Sequence, residues 1–243
     1  MEYRKRLYDS YINSIYQNFN DLSERGYNKT VKCYKNYLKL LPKNKASRIL
    51  DCGSGPGYFL YFLKKQGYTN AVGVDLCKQA VKIGTSMGLN LQYHDMFDFL
   101  KGCQNEYFDL IVAFDVLEHV MKDEVLKLLD LINSRLRKGG TVLIRVPNAN
   151  SPFATRSRWN DFTHELSFTD ESLTQILLSC GFIDIQIHGE KGVITSFLCL
   201  IRKILWFTAK CLYKAFMILG ISREAIGVPL EYKIIGVGRK PSE

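Results

Sequence analysis

The run Asp51-Cys52-Gly53-Ser54-Gly55-Pro56-Gly57 sets glycine at alternate positions directly after the apolar pair Ile49-Leu50. Apolar residues that run into such a turn read as a strand feeding a helix. Glycine accepts the backbone angles of a tight bend and lets a ligand come close to the main chain, while the N-terminus of the following helix presents N–H groups with no partner of their own. That is the chemistry of a ligand cradle. A dinucleotide fingerprint, G-x-G-x-x-G, would require glycine at position 58, where this chain has Tyr58. A pyrophosphate ligand, and with it a nicotinamide-dependent oxidoreductase, is therefore disfavoured.

Three more acids follow strand signals: Asp75 after Ala71-Val72-Gly73-Val74, Asp95 with Met96 beside it, and Asp115 after Phe114. Taken singly, an aspartate in that position is a helix cap or turn residue. The next segment, Asp115-Val116-Leu117-Glu118-His119-Val120, carries a histidine that can accept a proton near neutral pH. A later loop gathers Trp159, Asp161, His164 and Glu165 within a few residues, together with Arg156 and Arg158, which could meet a phosphate or carboxylate. His164, His119 and Asp161 are the candidate catalytic side chains. The same loop also has a structural reading, with Thr169 capping the helix that starts at Asp170 and Phe168 as its hydrophobic staple.

The elements needed to position these groups alternate. Apolar residues at helical spacing predict two helices between Leu7 and Leu41, split near Gly26. After the strand Arg48-Ile49-Leu50 come a helix over roughly 56–66, a strand at 71–74, a helix over roughly 77–87 and a short strand at Leu89–Leu91. A buried strand follows at Tyr107–Phe114, then a helix ending near Lys138-Gly139-Gly140, and the strand Thr141–Val146 stopped by Pro147. A helix over roughly 169–180, the strand Phe182–Ile187 and a last strand from Tyr232 complete the pattern. The expected architecture is α/β: a Rossmann-like, doubly wound, seven-stranded and mostly parallel sheet with an antiparallel last strand, N-terminal helices and a helical insert before that strand. It divides into a helical cap over 1–45, a core over 46–192, an insert over 193–230 and the final strand over 231–243.

The pattern D-x-G-x-G-x-G at 51–57 resembles motif I of class I S-adenosyl-L-methionine-dependent methyltransferases, and the resemblance extends from about 46 through 190. It implies S-adenosyl-L-methionine as cofactor. Asp51 would then fix the turn and help hold the ammonium end, with Gly53, Ser54, Gly55 and Gly57 passing close to the methionine and ribose. Asp75 would accept hydrogen bonds from both ribose hydroxyls, a task suited to two carboxylate oxygens. Asp95 and Met96 would recognise adenine, Phe114 and Asp115 would line the methionyl end, and Tyr58 and Leu76 would complete the set. The string D-V-L-E-H-V is similar to that of small-molecule and quinone O-methyltransferases, in which this segment borders the transfer pocket. The stretch N-D-F-T-H-E-L-S-F-T resembles methyltransferases of bacterial surface-polysaccharide and lipid-linked glycan assembly. A small-molecule or saccharide acceptor, lipid-linked or nucleotide-linked, is what that implies.

Charge and composition bound the remaining choices. The net charge is +9 with pI near 9.1, which favours anionic partners. Seven scattered cysteines form no CxxC pair and no His/Cys cluster at zinc spacing, so the chain is expected in a reducing cytoplasm and without a metal. Met1–Arg6 precede polar residues, unlike a signal peptide. No amino-methylation motif of the N/D-P-P-Y kind and no aromatic-basic appendage is present, which argues against nucleic acid. Residues 193–221 are strongly apolar but interrupted by Arg202, Lys203, Lys210 and Lys214. Burying those charges at a bilayer centre would cost roughly 2.5–3.5 kcal/mol each, so spanning is disfavoured. An interfacial helix with a basic stripe toward anionic headgroups, a helix pair packed on the sheet and a dimer interface all stay open. So do a quinone-precursor or carboxylate acceptor and a non-catalytic, cofactor-binding scaffold.

Overall fold

In the computed structural model, residues 6–7, 21–193, 196–220 and 226–242 are described. The strands are β1 Ile49–Cys52, β2 Ala71–Asp75, β3 Leu91–Tyr93, β4 Phe108–Phe114, β5 Leu136–Pro147, β6 Ile183–Gly189 and β7 Lys233–Arg239. They form one sheet in the order β3-β2-β1-β4-β5-β7-β6. The first five pair in parallel, while β7 runs antiparallel between β5 and β6. The chain winds outward from β1 in one direction and from β4 in the other, so a crevice opens above the carboxyl ends of these two neighbours.

Helices cover both faces, and the central strands are accordingly apolar almost throughout. Side chains alternate between two cores: Ile111 and Ala113 of β4 join Leu128, Leu129 and Ile132 on one side, whereas Leu110 and Val112 join Phe62 and Leu63 on the other. In chain order the α-helices are α1 Glu24–Val31, α2 Tyr58–Lys65, α3 Lys78–Ser86, α4 Met96–Gly102, α5 Lys122–Arg135, α6 Ala154–Trp159, α7 Asp170–Ser179 and α8 Phe197–Gly220.

Several expected boundaries move, each for a local reason. Gly26 lies inside α1 and does not split two helices: Ser23 caps the helix, its side chain accepting from the Gly26 N–H, and a 3₁₀ segment at Lys32–Leu40 follows directly. The helix expected around 7–19 falls almost wholly outside the described residues. β3 begins at Leu91 because Gly88, at φ 68°, and Leu89 are used to close the end of α3, the Leu89 N–H bonding to the Gly84 carbonyl. α5 stops at Arg135, and Gly139-Gly140 belong to β5. Leu136 pairs with Phe108, the register then slips before Leu110 meets Thr141, and Gly139 at φ 70° absorbs the slip. Thr169 does cap α7, in a capping box with Ser172.

The segment before β7 holds one continuous 24-residue helix, α8, where a helix pair had been an option. None of its residues is buried. The expected basic stripe does not face outward: Lys210 pairs with Glu231 and Lys214 donates to the Ile226 carbonyl, both toward the body. The outward face is apolar, with Leu198, Leu205, Leu212 and Leu219 all exposed. Among the described residues no helix is long and apolar enough to cross a membrane.

Asn148 locks the end of β5 to the segment that enters β7. It is fully buried; its Nδ2 donates to the carbonyls of Pro229 and Glu231, and its Oδ1 accepts from the Asn150 N–H. Asn148→Ala would leave those groups without partners, and urea unfolding is expected to show a loss of about 1–3 kcal/mol or more.

Candidate active site

The turn between β1 and α2 is built on left-handed glycines. Gly53 sits at φ 64°, and a Cβ there would lie 2.5 Å from Val116 Cγ2, so only glycine fits. Gly57 heads α2 at φ 83°. The turn is tied to the end of β2 by Asp75: its Oδ2 accepts from the Gly55 N–H and its Oδ1 from the Cys77 N–H, each at 2.7 Å. Burial raises the Asp75 carboxyl in spite of both bonds. α1 closes the outside of the turn, with the Tyr27 hydroxyl donating to the Pro56 carbonyl and the Tyr27 and Tyr58 rings 4.6 Å apart.

Above the carboxyl ends of β1, β2 and β4 lies a cavity of about 780 Å³. Asp51, Gly53, Ser54, Gly55, Tyr58, Asp75, Leu76, Asp95, Met96, Phe114, Asp115, His119, Asp161 and His164 all line it. Gly57 does not; its part is to let the chain turn. Asp95 also fills its bland role, Oδ1 capping α4 through the N–H groups of Phe97 and Asp98. Asp51 is 2 % exposed, and no hydrogen bond from a described residue reaches its carboxyl. Burial, with Asp75 nearby, pushes that group up to about 8 against the pull of Arg145. These residues fit S-adenosyl-L-methionine: Asp51 can take an ammonium, Asp75 keeps one lone pair on each oxygen for a diol, and Leu76 and Met96 offer apolar contact to a flat base.

Sequence reasoning missed the charged network at the far side. Asp115, at φ 57°, is gripped by Arg145 at 2.5 Å and Lys233 at 2.7 Å; Arg145 also reaches Glu190, to which the Tyr37 hydroxyl donates. Burial alone would raise the Asp115 carboxyl, but the two cations outweigh it and hold it well below the usual range. A signal existed: Arg145 interrupts the apolar run Thr141–Val146, and charge is rarely kept there without a partner. Glu118 is 1 % exposed, and burial together with Asp115 raises its carboxyl well above the normal value.

The two histidines meet although 45 residues separate them (164 − 119). Their ring centroids are 4.7 Å apart. The Glu118 carbonyl accepts the N–H groups of Glu165 and Leu166, which pins the 3₁₀ segment Leu117–His119 against the loop. Arg158 braces the same loop from the other side, donating to the carbonyls of His164 and Glu165. It is thus a strut and not a free anion receptor; Arg156 is exposed, as is Trp159 at 71 %. Thr163 Oγ1 lies 2.8 Å from His119 Nδ1 and donates to Asp161 Oδ1, while His164 Nδ1 faces the Ser157 carbonyl. Asp161 therefore orients His119 through Thr163. Burial and the adjacent His164 push His119 down to about 4, and burial lowers His164 as well. Both shifts favour the neutral rings.

Residues 25–187 match the family described as Methyltransferase domain. Over 154 residues the chain is 25% identical to phosphoethanolamine N-methyltransferase of Plasmodium falciparum (isolate 3D7), a match covering 61% of this chain and 58% of that enzyme. The chain thus spans little more than half the length of that curated relative. A SAM dependent methyltransferase from Archaeoglobus fulgidus superposes with a TM-score of 0.65 at 23% identity, covering 89% of this chain and 96% of its own. Phosphoethanolamine N-methyltransferase 2 of Haemonchus contortus, in complex with S-adenosyl-L-methionine, does so with a TM-score of 0.60 at 19% identity, covering 97% of this chain and 56% of its own. Both share the fold.

Two binding experiments probe the cofactor side. Asp75→Ala is expected to weaken S-adenosylhomocysteine in calorimetry by about 100-fold, the worth of two hydrogen bonds to a charged group; unchanged affinity would free Asp75 from this role. Asp51 sets the pH profile. A ligand ammonium held against it requires the proton to leave a group whose carboxyl lies at about 8, so affinity should rise about tenfold per unit between about pH 6 and 7.5, and Asp51→Asn should flatten the slope. The ligand-free protein responds with the opposite sign. Its Asp51 contribution to stability is whole below pH 3.8 and lost as pH rises through about 8.

Proposed function

The chain belongs to the methyltransferase-domain family and takes S-adenosyl-L-methionine as its cofactor, and we propose that it transfers the methyl group to a hydroxyl oxygen of a small polar acceptor, of the saccharide class. The carrying observation is the pair of imidazoles 4.7 Å apart in the same cavity as the cofactor-side acids. The cofactor supplies a methyl already activated on a sulfonium. The protein has to exclude water, align the acceptor oxygen with that methyl and provide for the loss of the hydroxyl proton. His119 and His164 keep Nε2 available at that end, since each Nδ1 is engaged elsewhere. Ser157, Asn160 and Tyr232 on the same wall give a polyhydroxylated acceptor partners for its other oxygens.

A second reading, methylation of an amine nitrogen, draws on the likeness to the Plasmodium enzyme. A phosphate-bearing amine would call for an available cation; Arg145 and Lys233 in this cavity are both paired with Asp115, while Lys78 lines it without an ion pair among the described residues.

Saccharide acceptors carried on lipid would bring the enzyme to a membrane, and α8 suits an anionic one. Its outward face is apolar, and of its basic residues Arg202 and Lys203 stay exposed while Lys210 and Lys214 are engaged toward the body.

With labelled cofactor, nucleotide-linked and lipid-linked sugars should take up label as base-stable ethers; label appearing only in amines would replace this reading with the second. His164→Ala should bind S-adenosylhomocysteine as the parent does and lose about 100-fold or more in turnover. Vesicles containing anionic lipid should carry the protein upward in flotation, and Leu205→Glu with Leu212→Glu should abolish this; equal flotation with purely zwitterionic vesicles would speak against headgroup attraction.

A further inference from the structure

Glu118, His119 and His164 each bring one ligand atom, a carboxylate oxygen and two ring nitrogens, to within 4.8 Å of one another. Proximity alone would carry little, but two further features stand beside it. Glu118 Oε2 is buried with no hydrogen-bond partner among the described residues, on a side chain that lines the cavity. The cations whose charge reaches it, Lys233 and Arg145, are bonded to Asp115, and Arg145 also to Glu190. An oxygen in that position lacks a positive partner.

The second feature is the orientation of the rings. Thr163 has one hydroxyl hydrogen, and it points to Asp161 Oδ1, so Thr163 Oγ1 can only accept from the Nδ1–H of His119. The Ser157 carbonyl likewise can only accept from the Nδ1–H of His164. With Nδ1 of each ring donating, the free lone pair lies on Nε2. Metal-binding histidines are held in this way, with the second nitrogen donating to a carbonyl or to a carboxylate-linked group that sets ring angle and tautomer. The segments carrying the ligands are already fixed to each other through the Glu118 carbonyl.

We infer that Glu118, His119 and His164 form a binding site for a divalent transition-metal ion, with open positions toward the cavity that take two neighbouring oxygens of the acceptor. Two imidazoles and one carboxylate are a donor set for Zn²⁺, Fe²⁺, Co²⁺ or Mn²⁺ and unlike the all-oxygen shell of Mg²⁺ or Ca²⁺. Bond lengths of about 2.0–2.2 Å require the three side chains to draw in from their present spacing by rotation. No such site was visible in the sequence, because the ligands come from segments that only the fold brings together.

The inference rests on the hydroxyl reading above and specifies it. The acceptor is a chelating one, a vicinal diol or a hydroxyl beside a carboxylate or phosphate oxygen, and the imidazoles serve as ligands in place of taking the proton. A metal-bound hydroxyl has a lowered pKa and releases its proton to solvent. Its oxygen lone pair forms the new bond to the methyl carbon as the carbon–sulfur bond breaks and the sulfur keeps that electron pair. The ion is neither oxidised nor reduced.

The test uses the chelator-treated full chain titrated with Co²⁺ alone. One ion per chain is expected, with visible ligand-field bands, and with affinity at least tenfold weaker in Glu118→Gln and in His164→Ala. Both variants should retain S-adenosylhomocysteine affinity and a parental melting curve, which excludes misfolding. Co²⁺ binding that is absent, or equal in parent and variants, overturns the site. Should chelator-treated protein still methylate hydroxyls at the full rate, the metal falls and the oxygen reading survives. Should Co²⁺ bind as expected while only amines accept label, the site stands and the hydroxyl acceptor falls.

Discussion

A carboxylate removed from water has to find donors or positive charge, or else give up its own charge, and the carboxyl ends of β1, β2 and β4 crowd Asp51, Asp75, Asp115 and Glu118 around one cavity. The four meet that demand differently. Asp75 takes two backbone N–H groups and thereby ties the glycine turn to β2. Asp115 takes Arg145 and Lys233 and thereby ties β4 to β5 and β7. The Asp51 carboxyl takes no hydrogen bond from a described residue and Glu118 Oε2 takes none either, and burial raises both carboxyls against the pull of Arg145. Asp75 and Asp115 thus build the walls of the cavity, while Asp51 and one oxygen of Glu118 face it without a donor from the described residues.

Those two positions stand at opposite duties. Asp51 sits at the root of the glycine turn, against the place where a methionyl ammonium fits. Glu118 sits beside the imidazoles, at the end where the acceptor enters.

The loop after β5 is what makes the acceptor end definite. Asn148 fixes its start, Thr169 and Ser172 fix its end, and the Glu118 carbonyl and Arg158 hold its middle. A long loop held at so few points would otherwise leave His164 free to drift from His119. α8 behaves differently, with Lys210 and Lys214 turned to the body and its leucines outward. This inverts the usual pattern of a surface helix, whose apolar stripe faces the core.

Local sequence determined a good deal here. Strand and helix alternation, the glycine turn and the acids after β1, β2 and β4 depend on backbone preferences and on periodicity, which act over a few residues and can be read in order. An antiparallel final strand was expected and is present. Contacts between distant segments were beyond such reading. The slip at Gly139 depends on what β4 offers opposite, the direction of α8 on where Glu231 lies, and the partners of Asp115 on three strands brought into register. Glu118, His119 and His164 are the clearest instance: their types could be read singly, but whether a carboxylate goes unpaired, and which ring nitrogen is left free, follows from burial and hydrogen bonds that exist only once the chain has closed on itself.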